Sequence, residues 1–182
     1  MSYKRWIFVA IGLFGVGIAL GLTTPVSTAE LFSENLAAFE ELATLFVPFQ
    51  VTTAIFIFLK NVSALLISFV FSPILCLVPI LALTVNGWLI SFISVAVVQE
   101  ESLGVLLAGL LPHGIFELPA LIMGEAAALS FGALTIVALV SKKKKDLLLA
   151  GLKQNLRYLL IACTLLLPAA IIETYVTPLF LT

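Results

Sequence analysis

SLGVLLAGLLPHGIFELPALIMGEAAALSFGALTIVALVS, residues 102–141, decides how this chain is read. It contains no Lys, Arg or Asp, and its ionisable side chains are His113, Glu117 and Glu125. A helix needs about 20 apolar residues to cross a hydrocarbon core of about 30 Å. The stretch is too long for one such helix and barely long enough for two.

The sequence on either side supplies the other spans. Residues 7–24 carry no charge, and between Glu41 and Glu100 the only charged residue is Lys60. The latter stretch holds two spans, 49–71 and 74–98, broken at Ser72-Pro73. A further span covers 158–179. The composition agrees: 62% of the 182 residues are hydrophobic and 10% charged, where soluble domains are about half apolar and a quarter charged. A soluble globule and a disordered chain are both excluded. Two cysteines, Cys76 and Cys163, exclude a disulfide framework and a Cys-rich zinc module.

The basic residues set the expected orientation. Lys4 and Arg5 precede the first span, while Lys142, Lys143, Lys144, Lys145, Lys153 and Arg157 precede the last. Glu30, Glu34, Glu40 and Glu41, then Glu100 and Glu101, mark the opposite side. All eight of these Lys and Arg residues fall on one side if there are five spans, with the N-terminus cytoplasmic and the C-terminus external. A sixth span would move the tetralysine outside. The expected fold is therefore an all-α polytopic transmembrane bundle forming a single domain, with 120–140 as the fourth span. Residues 103–118 are then expected to form a re-entrant helical hairpin, broken by Pro112, Gly114 and Pro119. Residues 29–46 read as an external amphipathic segment and 146–157 as an interfacial one. The N-terminal layout of Lys4-Arg5, an apolar run and small residues at Ser27 and Ala29 is that of a signal peptide, expected here to stay as an anchor.

The polar residues at membrane depth are Lys60, Asn61, Asn86, His113, Glu117 and Glu125. Unless paired or hydrated, an ionisable group there costs about 2.5–3.5 kcal/mol, so each is a functional candidate. An internal network that fixes helix register and a transport pathway are equally compatible with this set. Lys60 lies roughly 16 Å into its span, and is expected to face protein and pair with Glu117 or Glu125. His113 and Glu117, four apart on a helix begun by Pro112, share a face. Because His113 is the sole histidine and HExxH is absent, no metal, cofactor or catalytic residue is expected. A His113–Glu117 hydrogen bond bracing the hairpin is expected instead.

Gly12, Gly17, Gly21 and Gly87 are candidate packing or dimer positions, with Gly17-x-x-x-Gly21 in the small-xxx-small pattern. A dimer seam and close packing within one chain are the two readings of these positions, and the protein is expected to be a homodimer. Lys142, Lys143, Lys144 and Lys145 beside a span favour lipid headgroups over nucleic acid.

Phe58-x-x-Asn61, Asn86-Gly87 and Leu111-Pro112-His113-Gly114-Ile115-Phe116-Glu117-Leu118-Pro119-Ala120 together resemble the stage II sporulation protein M family. The resemblance covers about residues 1–180, and its most specific block is P-H-G-x-x-E. Family members often carry two adjacent asparagines where this chain has Lys60-Asn61. In spore-forming bacteria the family supplies the membrane component of a complex that recruits peptidoglycan hydrolases and drives septal membrane migration, and related proteins occur in organisms that never sporulate. The resemblance implies a cell-membrane scaffold or remodelling protein without enzymatic activity. Membrane lipids, a second copy and a cell-wall hydrolase or transporter component would be its partners. A small transporter or channel is the alternative.

The orientation is directly testable. A single cysteine replacing Lys143 should react with an impermeant maleimide only from the cytoplasmic side, and one replacing Glu34 only from outside. Labelling of both from the same side overturns the five-span topology.

Overall fold

The structure, a computed structural model, describes residues 3–25, 47–141 and 146–181. The expected external segment 29–46 and the tetralysine 142–145 lie outside these residues. The described elements are helices: α1 (Tyr3–Thr23), α2 (Val51–Phe71), α3 (Leu77–Glu100), α4 (Leu103–Val140), α5 (Asp146–Tyr175) and the short α6 (Thr177–Leu181). Five of them are long and apolar enough to cross a membrane, and the chain is a multi-pass membrane protein.

Helix α4 is the centre of the bundle. Residues 124–129 are all buried. Consecutive residues point in directions 100° apart, so an unbroken buried run means that protein surrounds the helix on every side. Sequence makes this possible, because Gly124, Ala126, Ala127 and Ala128 let neighbouring backbones come close. On one flank Ala120, Ala127 and Ala128 pack with Leu65 and Phe69 of α2 and with Leu159, Ala162 and Leu166 of α5. On the other, Ala126 and Leu129 meet Ala10 of α1 and Leu83 of α3.

Small residues also close the α1–α3 seam. A methyl group added at Gly17 would run into the Thr84 carbonyl, one at Gly21 into Ser91 and the Trp88 carbonyl, and one at Gly87 into the Phe14 carbonyl. These three glycines are thus engaged within the chain. Gly12 faces open space. Tyr3 secures the start of α1: its hydroxyl donates to the Met123 carbonyl at 2.8 Å, and its ring stacks on Tyr158 of α5 at 3.5 Å.

The α2–α3 connection spans residues 72–76. Pro73 stops α2, the Ser72 hydroxyl donates to the Phe69 carbonyl at 2.8 Å, and the Cys76 N–H donates to the Ser72 carbonyl at 3.0 Å. Leu75 and Cys76 are left-handed, with φ of 51° and 55°, a conformation costing about 1–2 kcal/mol per L-residue. The turn is seated on Gly132 of α4, where any side chain would strike the Ser72 carbonyl. At the opposite end the Phe49 N–H donates to the Thr174 carbonyl at 3.2 Å and ties the entry of α2 to the end of α5. The bundle therefore has a basic end, with Lys4, Arg5, Lys153 and Arg157, and an acidic end, with Glu100 and Glu101.

Two sequence expectations need correction. Residues 103–118 form no re-entrant hairpin; they are the first part of a single helix of 38 residues that continues to Val140. Its start is capped by Ser102, whose hydroxyl accepts from the Val105 N–H at 3.2 Å. Pro112 and Pro119 lie inside it. Each proline removes one intrahelical hydrogen bond, but a tight turn at membrane depth would leave more backbone groups without partners, and in lipid each such group costs several kcal/mol. Continuing the helix is the smaller penalty. At 1.5 Å per residue α4 is about 57 Å long, well beyond the hydrocarbon core. Likewise residues 146–157 do not form a separate interfacial segment but run on into the last span as one helix of 30 residues. No Pro or Gly separates Asn155 from Tyr158 to turn the chain.

The seam and the open glycine give a paired test. Gly87→Val should destabilise the protein by about 1–3 kcal/mol through overpacking against α1, whereas Gly12→Ala should not destabilise it and should gain up to about 1 kcal/mol from helix propensity. Thermal or SDS-induced unfolding of the purified protein measures both.

Candidate functional site

Ile57, Asn61, Leu65 and Ser68 follow one another at four, four and three residues on α2 and make a single face. Ile57, Leu65 and Ser68 are buried. This face carries the two polar side chains that α2 offers to α4, Asn61 and Ser68.

The first polar cluster lies where α2, α4, α5 and α6 meet. The Asn61 amide donates to Glu117 Oε1 at 3.2 Å. Glu117 Oε2 is 3.8 Å from His113 Nε2, beyond the hydrogen-bond range of about 2.7–3.2 Å. The expected His113–Glu117 hydrogen bond is therefore absent, and His113 instead uses Nδ1, which lies 3.3 Å from Thr177 Oγ1. Glu173 of α5 completes the group: one donor atom each from His113, Glu117 and Glu173 lie within 4.8 Å of one another. Beside Glu117, a cavity of about 60 Å³ is lined by Asn61, Asn86, Leu65, Leu121 and Leu166 among others. It has room for a few water molecules and not for an organic solute. Asn86 faces this cavity while its amide donates back to the Ala82 carbonyl of its own helix at 2.7 Å.

The second polar pair lies deeper. Glu125 is 1% exposed, and Ser68 Oγ donates to its Oε2. No Lys, Arg or His forms an ion pair with Glu125 among the described residues. The hydroxyl is what accommodates a carboxyl in this setting, since a buried polar group without a partner carries its full desolvation cost.

The structure thus joins Asn61, Asn86, His113 and Glu117 in one neighbourhood and sets Glu125 apart with Ser68. Lys60 belongs to neither. It is exposed on α2, and the partners expected for it, Glu117 and Glu125, are engaged elsewhere. Helical phase is the reason: Lys60 lies 100° round from Asn61, off the face that meets α4. It remains within electrostatic range of Glu173. Sequence reasoning missed Glu173, Thr177 and Ser68. The signal for Glu173 was present, because it is the only charged residue after Arg157, and a lone carboxylate in a span marks a site. Thr177 and Ser68 gave no such signal, since hydroxyls are common in membrane helices.

Ser68→Ala should destabilise the protein by about 1–3 kcal/mol, because it strips the buried Glu125 carboxyl of its described partner. Ser63→Ala, on the exposed face of α2, should change stability by less than about 0.5 kcal/mol. Equal behaviour of the two variants in unfolding titrations would remove Ser68 from this role.

No solved structure matches the chain. A stretch of 92 residues is 37% identical to an uncharacterised protein of Methanocaldococcus jannaschii, covering 50% of each chain. The present chain thus aligns with about half the length of that relative. The family model described as stage II sporulation protein M matches residues 10–178, which take in most of α1, all of α2 to α5 and every residue of the polar cluster. The chain belongs to the stage II sporulation protein M family.

Proposed function

We propose that this protein is a non-enzymatic membrane scaffold, with its N-terminus in the cytoplasm and its C-terminus outside, that recruits partners such as cell-wall hydrolases and shapes the membrane around them. The observation that carries this reading is how the polar side chains are used. Among the described residues no buried side-chain nitrogen or oxygen lacks a hydrogen-bond partner. Asn61, Glu117, Ser68, Glu125, His113 and Thr177 all bond across helices, so they brace the bundle rather than line a wide path. The cavity beside Glu117 holds only about 60 Å³. Family membership supports the same reading.

The orientation follows from charge. Lys4, Arg5, Lys153 and Arg157 cluster at one end of the bundle and Glu100 and Glu101 at the other, and basic residues favour the cytoplasmic face. Partner recruitment would use the acidic stretch Glu30–Glu41 and the lysine run Lys142–Lys145. A homodimer belongs to the proposal as well. Its seam would lie outside Gly17, Gly21 and Gly87, which α1 and α3 already occupy.

Affinity capture from native membranes, with the full chain as bait, tests recruitment. Cell-wall hydrolases should co-purify, and capture of the bait alone overturns the proposal. Glu117→Leu separates the scaffold from a transporter. On the scaffold reading it destabilises the fold by about 1–3 kcal/mol, because it removes the acceptor that ties Asn61 of α2 to α4. A variant that stays as stable as the wild type while a measured solute flux collapses would favour transport.

A further inference from the structure

His113, Glu117 and Glu173 meet at one point of the bundle, and among the described residues no hydrogen bond joins Glu173 to the other two. Two carboxylates from different helices converge with the chain's single imidazole, and one donor atom from each lies within 4.8 Å of the others. Side by side in a partly buried site, two carboxylates repel unless something positive or a shared proton lies between them. Lys60, the lysine within electrostatic range of Glu173, is exposed and makes no ion pair among the described residues.

The geometry points to a binding site for a divalent transition-metal ion, held by His113 Nε2 and the carboxylates of Glu117 and Glu173. An ion with metal–ligand bonds of about 2.1 Å in tetrahedral array keeps neighbouring donors about 3.4 Å apart. The 3.8 Å between His113 Nε2 and Glu117 Oε2 is close to that spacing and too long for a hydrogen bond, and the 4.8 Å that bounds the whole group calls for a small rotation of a carboxylate to close on the ion. The surroundings fit the same assignment. With its proton on Nδ1, His113 donates to Thr177 Oγ1 at 3.3 Å, which leaves the Nε2 lone pair toward the carboxylates and fixes the ring. Asn61 holds Glu117 through Oε1 at 3.2 Å and leaves Oε2 on the histidine side. Ligating groups are characteristically oriented by hydrogen bonds of this kind. The neighbouring cavity of about 60 Å³ has room for water to fill further coordination positions. One nitrogen and two carboxylate donors suit a borderline ion such as Zn²⁺, Mn²⁺ or Fe²⁺.

The donors come from α4 and α5, and Thr177 adds the start of α6. A bound ion would therefore fasten the end of α5 to the first half of α4. This inference does not rest on the scaffold reading, since the ion would brace the bundle whether or not partners are recruited.

The test uses the full chain in lipid nanodiscs, stripped with a chelator and dialysed against Zn²⁺ or Mn²⁺. The wild type should retain one ion per chain by elemental analysis and melt at a higher temperature with the ion than without. Glu173→Gln and His113→Ala should weaken retention by about tenfold or more, while Glu101→Gln, at the exposed end of α3, should bind as the wild type does. Absence of stoichiometric metal in the wild type, or unchanged retention in both ligand variants, overturns the site and leaves a proton shared between the carboxylates. A second readout needs no variant. Because His113 is the only histidine, its modification by diethyl pyrocarbonate reports on one ring, and saturating Zn²⁺ should slow that reaction about tenfold or more. Equal rates with and without metal also overturn the site.

Discussion

Residues 124–129 of α4 have no face left over for lipid, and the rest of the bundle is arranged around that enclosure. A helix surrounded by protein in a low-dielectric medium cannot borrow partners from water, so each polar group on it must be met by a neighbour. Ser68 on α2 meets Glu125, Asn61 on α2 meets Glu117, and Thr177 on α6 meets His113. The same enclosure sets the residue types on α4. Gly124 sits against Leu65 and Gly132 against the α2–α3 turn, while Ala126, Ala127 and Ala128 are 0% exposed. Larger side chains at these positions would hold the neighbouring helices too far off for the polar partners to reach.

Much of this was legible in the sequence. The five spans follow from hydropathy and length, and the separation of basic from acidic ends follows from where Lys and Arg fall. The PHGxxE block marked the right part of α4, and Asn61, Asn86, His113 and Glu117 do share a neighbourhood. Two things were not legible, for different reasons. The path of residues 103–118 could not be read from Pro112, Gly114 and Pro119, because these residues lower the cost of a break without requiring one. What decides is whether neighbouring helices are present to cover a helix that continues, and that is a property of the assembled bundle. The pairing of Lys60 failed because depth was considered without phase. One step along α2 separates a side chain aimed at α4 from one aimed away from it.

Glu173 shows a third kind of limit. Spacing along one helix reveals pairs such as His113 and Glu117, four residues apart. It says nothing about a donor that arrives from another helix, and Glu173 is more than fifty positions further on. With one histidine and no HExxH, the sequence points to no metal. Folding brings Glu173 within 4.8 Å of that pair. The match to residues 10–178 takes in all of these positions, so the cluster lies inside the part of the chain that defines its kinship.

Pro112 and Pro119 sit one residue before His113 and two after Glu117. Neither can donate, so the carbonyls of Ala108 and Ile115 lose their usual intrahelical donors at those places. The two gaps in the helix's own ladder bracket the residues that tie α4 to α2 and α6. Bonds between helices therefore stand where the rod's internal bonding is thinnest, so its neighbours supply part of the support that an uninterrupted ladder would give.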